Sequence, residues 1–198
     1  MMRLILALSL VLLPLSAFAA KLETAVFASG CFWCTQTDFD HVKGVTATTT
    51  GYLGGKTDNP TYKTYVAGGH REAVLVEYDA DVIPFEKLVD TFWRTFDVTD
   101  AGGQFCDRGQ AYTSAIYIDD AARQKAALAS KTAAEKVLGQ PIATPILPLA
   151  PFWPAETYHQ KYAEKNPVRY SYYRYRCGRN ARVEQIWGKD AYWNVEKH

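Results

Sequence analysis

The 198-residue chain has few residues of the types that bind metals: four cysteines and four histidines. Neither set has the spacing of a metal site. A structural zinc site needs two ligand pairs of similar separation, and here Cys31 and Cys34 form one pair while Cys106 and Cys177 stand alone. His70 and His159 lack a third ligand at suitable spacing, so both read as structural. A surplus of charge is missing too. The formal net charge is +1, which gives no general attraction for nucleic acid or an anionic membrane. Internal repeats and low-complexity linkers are absent, so a single domain is expected over residues 20–198, with a tail from about residue 167.

The one long apolar run, Leu4 to Leu13, is about half the ~20 residues a membrane span requires. Arg3 precedes it, and Pro14-Leu15-Ser16-Ala17-Phe18-Ala19 follows with an Ala-x-Ala ending. These are the parts of a secretory signal peptide over residues 1–19, cleaved after Ala19. No cysteine follows the cleavage site directly, so neither a lipid nor a membrane anchor is expected. The remaining chain has equal numbers of basic and acidic residues. Export is therefore expected, to the periplasm in a bacterium with two membranes and to the medium otherwise. In such an oxidising place disulfides persist. Four cysteines allow three full pairings, and the sequence does not choose among them.

What the chain does contain is centred on Gly30-Cys31-Phe32-Trp33-Cys34, which follows the apolar Ala25-Val26-Phe27-Ala28-Ser29. A strand ending in Ser-Gly and opening a helix at cysteine puts a thiol where unpaired backbone N–H groups and the helix dipole favour thiolate. Two aromatics beside it make an apolar wall. Cys-x-x-Cys by itself permits a redox pair, half a zinc site, or two buried small hydrophobes.

Leu22 to Ser29 reads as a buried strand, and the helix from Cys31 runs to about Val42. Val45 to Tyr52 is a β-branched strand, and Ala73 to Tyr78 is another. Between them Gly54 to His70 is a long loop, of a kind usually functional in compact domains. After Pro84, Phe85, Leu88, Val89, Phe92, Trp93 and Phe96 fall on one helix face. A second long loop, Asp97 to Tyr112, leads to a strand at Ser114 to Ile118. Asp119 is expected to cap a helix that Gly139 ends after Leu138. Pro141 to Pro154 crosses to a helix at Ala155 to Lys165, and a Tyr/Arg-rich tail follows Pro167. The fold class expected is α+β: a ferredoxin-like βαββαβ two-layer sandwich with added helices and an irregular C-terminal tail.

Several stretches now occur in a telling order. They are Gly30-Cys31-Phe32-Trp33, Gly51-Tyr52-Leu53-Gly54-Gly55, Asn59-Pro60-Thr61-Tyr62 and Gly69-His70-Arg71-Glu72-Ala73-Val74. Asp107-Arg108-Gly109-Gln110-Ala111-Tyr112, Ser114-Ala115-Ile116-Tyr117 and Pro154-Ala155-Glu156-Thr157-Tyr158-His159-Gln160 follow. Over about residues 22–166 the chain resembles the A-type peptide methionine sulfoxide reductases, which act on the S epimer of the sulfoxide. The resemblance implies that Cys31 is the nucleophile and Glu72 the acid that protonates the sulfoxide oxygen. It implies that Tyr62 and Tyr112 bond the developing oxyanion, that Asp107 orients the substrate, and that Phe32 and Trp33 enclose its methyl group.

The resemblance also implies a Cys31 sulfenic acid, resolved by a second thiol and reset by an external thioredoxin-like dithiol, with no bound cofactor. The resolving candidates are Cys177, favoured for its place in the tail, and Cys34, one helical turn from Cys31. Cys106 is an alternative partner that would pair with Cys177 as a static clamp. Expected substrates are oxidised proteins and peptides, with free methionine sulfoxide a further candidate, and a monomer is expected.

Each position has a plainer reading. Glu72 and His70 share a strand pattern that fits a solvated face, thirteen tyrosines make packing the ordinary role of any one, and Asp107 suits a turn. Gln36 stands where many family members have glutamate, and no chemical role is expected for it. Arg71 replaces a usually small residue and would lower the Glu72 pKa if it turned inward. The rival functions are an exported thiol–disulfide oxidoreductase using Cys31 and Cys34, and a binder of methionine-containing peptides.

Overall fold

The computed structural model describes residues 21–196; the predicted signal peptide lies outside them. Strand β1 (Leu22–Ala28) leads to helix α1 (Phe32–Asp40), then β2 (Val45–Leu53), β3 (Arg71–Asp79) and α2 (Phe85–Trp93). A short hairpin, β4 (Gly103–Gln104) and β5 (Asp107–Arg108), lies inside the second long loop before β6 (Ala115–Ile118). Next come α3 (Ala121–Leu138), β7 (Ile146–Pro148), β8 (Trp153–Pro154) and α4 (Tyr162–Lys165), then α5 (Pro167–Arg176) and α6 (Arg179–Trp187). The class is α+β, as expected.

The main sheet runs β7-β6-β1-β3-β2-β8. β3 lies antiparallel between β1 and β2, so α1 is the crossover of a split βαβ unit. Phe27 on β1 stacks on Phe39 of α1 at 4.8 Å and meets Phe92 of α2 at 4.7 Å between ring centroids. Both helices therefore cover one face of the sheet. The spacing Phe85, Leu88, Val89, Phe92, Trp93 buries one side of α2 against that face, as its period predicts. On the other face Val26, Ala28, Leu53, Ala73, Ala115 and Tyr117 form a second apolar cluster. β7 pairs parallel to β6, which requires the long crossover that α3 supplies.

Three expectations need correction. Asp120, not Asp119, caps α3: its side chain accepts from Arg123 N at 2.8 Å. The helix expected at Ala155 to Lys165 shrinks to Tyr162–Lys165, because side chains hold the preceding turn against β2 instead. Gln160 Oε1 accepts from Thr50 N at 2.9 Å, and Glu156 accepts from Tyr62 N and the Tyr52 hydroxyl, both at 2.9 Å. Nor is the tail irregular; it is two helices. Pro167 starts α5, and Gly178, in left-handed backbone at φ 69°, separates α5 from α6. Their buried sides include Arg174 and Arg179, so the period is hidden from a reading based on apolar residues.

Gly30 sets the turn from β1 into α1. Its φ is +82°, and a Cβ there would lie 2.5 Å from Gln104 Cβ. Gln104 is fully buried and bonded to both Asp97 N and Asp97 O, so it has nowhere to retreat. Gly30→Ala is expected to cost roughly 1–3 kcal/mol. Calorimetry should show a thermal midpoint lower by at least about 2 °C; an unchanged midpoint would refute the assignment of this turn.

Candidate active site

Cys31 occupies the N-cap of α1, but its side chain makes no cap bond. The first helical N–H, on Phe32, donates instead to Glu72 Oε2 at 2.9 Å. Glu72 reaches it from β3, where alternation points Glu72 into the helical layer and Arg71 to the opposite face. Arg71 bonds Thr113 Oγ1 at 2.8 Å and the Tyr117 hydroxyl at 3.1 Å, so its guanidinium is turned away from the carboxyl.

Glu72 is 2% exposed. Burial pushes its carboxyl up to about 8, against the opposing pull of the Phe32 N–H and the Tyr65 hydroxyl. Tyr65 donates to Glu72 Oε1 at 2.9 Å, and its oxygen lies 2.9 Å from the Tyr112 hydroxyl. A carboxylic acid at neutral pH thus sits beside two phenols. Tyr65 was not among the residues anticipated. Tyr62, which was, is 40% exposed and lays its ring 4.5 Å from His159 and 5.7 Å from Tyr65.

Cys31 and Cys34 are the free cysteines among the described residues, and both are buried. Burial holds the Cys31 thiol well above the ordinary range, helped by its bond to Cys34 and by Glu72 and Asp107. The Cys34 thiol is lowered by the hydrogen bond from Cys31 and then by the charges of Arg179 and Arg174, which outweigh burial. The helix-terminal position alone therefore does not make Cys31 the resting thiolate. Glu72 takes the N–H that would have favoured it, and the pair shares one proton with the negative charge lying towards Cys34.

Around the thiols the anticipated aromatics converge with others. Phe32 is buried, 4.9 Å from His159 and 5.8 Å from Tyr52. Trp33 donates to His159 Nδ1 at 3.0 Å and stacks on Tyr162 at 3.7 Å. His159 therefore fixes the Trp33 ring, a job the sequence hid because its partner lies 126 residues away. Asp107 accepts from the Tyr173 hydroxyl of α5, and burial raises its carboxyl. Gln36 links layers rather than reacting: its Oε1 accepts from Lys161 N at 2.7 Å and its Nε2 donates to Thr48 O at 3.2 Å.

Cys177 is bonded to Cys106, with Cα atoms 5.2 Å apart. The sulfur that the tail position put forward as the resolving thiol is thus engaged in the clamp. Among the described residues no cluster of three or more His, Cys, Asp or Glu side chains could hold a metal ion, and no helix is long and apolar enough to cross a membrane.

A buried thiol pair beside a buried carboxylic acid can attack an electrophilic sulfur or oxygen compound while protonating its leaving or accepting atom. Residues 23–191 match the family model described as peptide methionine sulfoxide reductase. MsrA 2 of Rhizobium meliloti (strain 1021), a peptide methionine sulfoxide reductase, is 52% identical over 183 residues, 92% of each chain. MsrA of Bacillus subtilis (strain 168) is 45% identical over 172 residues, 85% of this chain and 97% of that one. Among solved structures, reduced Mxr1 from Saccharomyces cerevisiae has a TM-score of 0.70 at 32% identity, over 74% of this chain and 87% of that one. Methionine sulfoxide reductase A of Corynebacterium diphtheriae has a TM-score of 0.66 at 31% identity, over 74% and 76%. The sequence match runs from β1 past the end of α6, and the chain belongs to the A-type peptide methionine sulfoxide reductases.

Proposed function

We propose that Cys31 is the nucleophile and Glu72 the acid with which this reductase converts the S epimer of methionine sulfoxide in proteins and peptides to methionine. The observation that carries the assignment is the buried Glu72 carboxyl, still protonated up to about pH 8 and bonded to the amide next to Cys31. A sulfoxide sulfur becomes a good electrophile only when its oxygen is protonated or strongly hydrogen-bonded. Cys31 passes its proton to the Cys34 thiolate as it attacks, and Glu72 gives its own proton to that oxygen, leaving a Cys31 sulfenic acid, free methionine side chain and a Glu72 carboxylate. Tyr112 and Tyr62 stand as donors to the developing oxyanion, and Asp107 orients the substrate through its hydrogen bonds. Phe32 and Trp33 take the methyl group.

Cys34 resolves the sulfenic acid. It packs with Cys31 in one buried cluster as a free thiol, whereas Cys177 is bonded to Cys106. The resulting Cys31–Cys34 disulfide is reset by an external thioredoxin-like dithiol; the relative Mxr1 has been solved in complex with Trx2. The protein acts as a monomer after export, and a Cys106–Cys177 disulfide suits an oxidising compartment.

A single turnover tests the assignment. Protein lacking residues 1–19, with its thiols reduced, meets one equivalent of peptide carrying S- or R-methionine sulfoxide. Quenching and disulfide mapping by mass spectrometry are expected to show consumption of the S epimer alone and a new Cys31–Cys34 bond. A Cys31 bond to Cys177 would return the resolving role to the tail. Consumption of neither epimer, with disulfide exchange on other proteins instead, would make the chain a thiol–disulfide oxidoreductase.

A further inference from the structure

Beneath the thiols lies an ionic cluster for which the reduction of sulfoxide has no use. Asp38, one turn after Cys34 on α1, faces Arg174 Nη2 at 2.7 Å and Arg179 Nη2 at 3.6 Å. The three residues are 1%, 7% and 2% exposed, so two guanidinium groups and one carboxylate are sealed inside the protein with a charge of +1 unbalanced among them. An unbalanced buried charge is strongly unfavourable unless another group answers it. The Asp38 oxygens make no aligned hydrogen bond, and Arg179 Nε has no acceptor among the described residues. Arg179 spends its other nitrogens on the turn that carries Cys31, reaching Ser29 O at 3.2 Å and Ser29 Oγ at 3.5 Å. Arg174 bonds the hydroxyl of Tyr170 at 2.9 Å, and Tyr170 packs directly with Cys31 and Cys34.

We propose that Arg174 and Arg179, sharing Asp38, are the counter-charge of a Cys34 thiolate, so that the C-terminal helices act as positioning elements for the resolving step. The proposal rests on Cys34 as the resolving thiol. Cys177 then has a role of its own. It stands between Arg174 and Arg179 at the junction of α5 and α6, and its disulfide to Cys106 ties that junction to the loop carrying Asp107. The charged and titratable groups around Cys34 are Cys31 and Asp38 on α1, Glu72 on β3, Tyr170, Tyr173 and Arg174 on α5, and Arg179 on α6. The two guanidiniums favour the thiolate, while Asp38 and any ionised Glu72 oppose it. In the resolving step the Cys34 thiolate attacks the Cys31 sulfenic sulfur. The S–O bond breaks, hydroxide leaves as water with the proton that the Glu72 carboxylate has first taken from the Cys34 thiol, and the S–S bond forms.

The test is the thiolate absorbance of Cys31→Ser, with the Cys106–Cys177 disulfide left intact. Cys34 then titrates as the one free thiol among the described residues. With the Cys31 thiol gone, the two guanidiniums are expected to hold the midpoint below the ordinary thiol value of about 8.5; a midpoint at that value or above would overturn the proposal without any change to the cluster. In the same background Arg179→Gln is expected to raise the midpoint by about 1 to 2 pH units, while Arg179→Lys keeps it near the parent's. A midpoint that ignores the charge at position 179 in folded protein, checked by near-ultraviolet circular dichroism, would also overturn it. Disulfide mapping of the parent after one turnover separately reports whether Cys34 resolves. The two failures are thereby distinguishable.

Discussion

Cys31→Ser is expected to consume neither epimer of methionine sulfoxide, a loss on the order of 10⁴-fold or more in kcat/KM. Serine leaves the turn, the helix and the Glu72 bond to Phe32 N in place. It removes only the atom that can attack sulfur and hold the transferred oxygen. Cys34→Ser is expected to differ in kind: one methionine forms per enzyme molecule, and then the sulfenic acid persists and is trapped by a sulfenic-specific reagent. The contrast separates attack from resolution. A Cys31→Ser protein that still reduced the S epimer would remove Cys31 from the role assigned to it.

Glu72→Gln carries the second large effect, a fall of about 10² to 10⁴ in kcat/KM. The amide fills the same space and its Oε1 still accepts from Phe32 N, but it has no proton to give. The pH profile follows from the two ionisations of the site. The thiol pair loses its first proton near pH 6, and Glu72 keeps its own until about pH 8. The reacting form, one thiolate with one carboxylic acid, is populated between them. The parent's kcat/KM is therefore expected to rise through about 6 and fall through about 8, and Glu72→Gln to lose the limb near 8.

Stability should move the other way. The folded-state pKa of Glu72 lies above its unfolded value, so the folded protein holds this proton more tightly. As pH rises from about 4.5 to 8 the unfolded chain ionises first and stability falls, by roughly 3–5 kcal/mol at most. Glu72→Gln escapes that loss. Denaturant melts at pH 4 and pH 9 are expected to show a small difference from the parent at the first and a clear gain at the second. Equal stability of the two proteins at pH 9 would contradict a carboxyl forced to ionise in an apolar site.

The sequence by itself determined the parts of this protein whose causes are local. The order of strands and helices from Leu22 to Ile118 follows from period-two and helical spacing of apolar residues. Pro84 and Gly139 mark helix limits, and Gly30-Cys31 places a thiol on a helix N-terminus because only a positive-φ turn fits there. The ordered motifs carried the family, and with it the candidates Cys31, Glu72, Tyr62, Tyr112, Asp107, Phe32 and Trp33.

Tertiary structure decided what depends on distant partners. Tyr65 is invisible as a partner of Glu72 among thirteen tyrosines until the first loop folds back, and His159 meets Trp33 across 126 residues. The segment before α4 reads as helix because its own spacing allows one, yet Glu156 and Gln160 find stronger partners on β2. The tail reads as irregular because two of its buried positions are arginines, which become interior groups only once Asp38 and the thiols provide opposite charge. The four cysteines illustrate the same division. Their positions limit them to three pairings, and only the approach of α5 to the β4–β5 hairpin joins Cys106 to Cys177 and leaves Cys34 beside Cys31. Charge and proximity in three dimensions, which spacing along the chain does not encode, set which sulfur carries the proton.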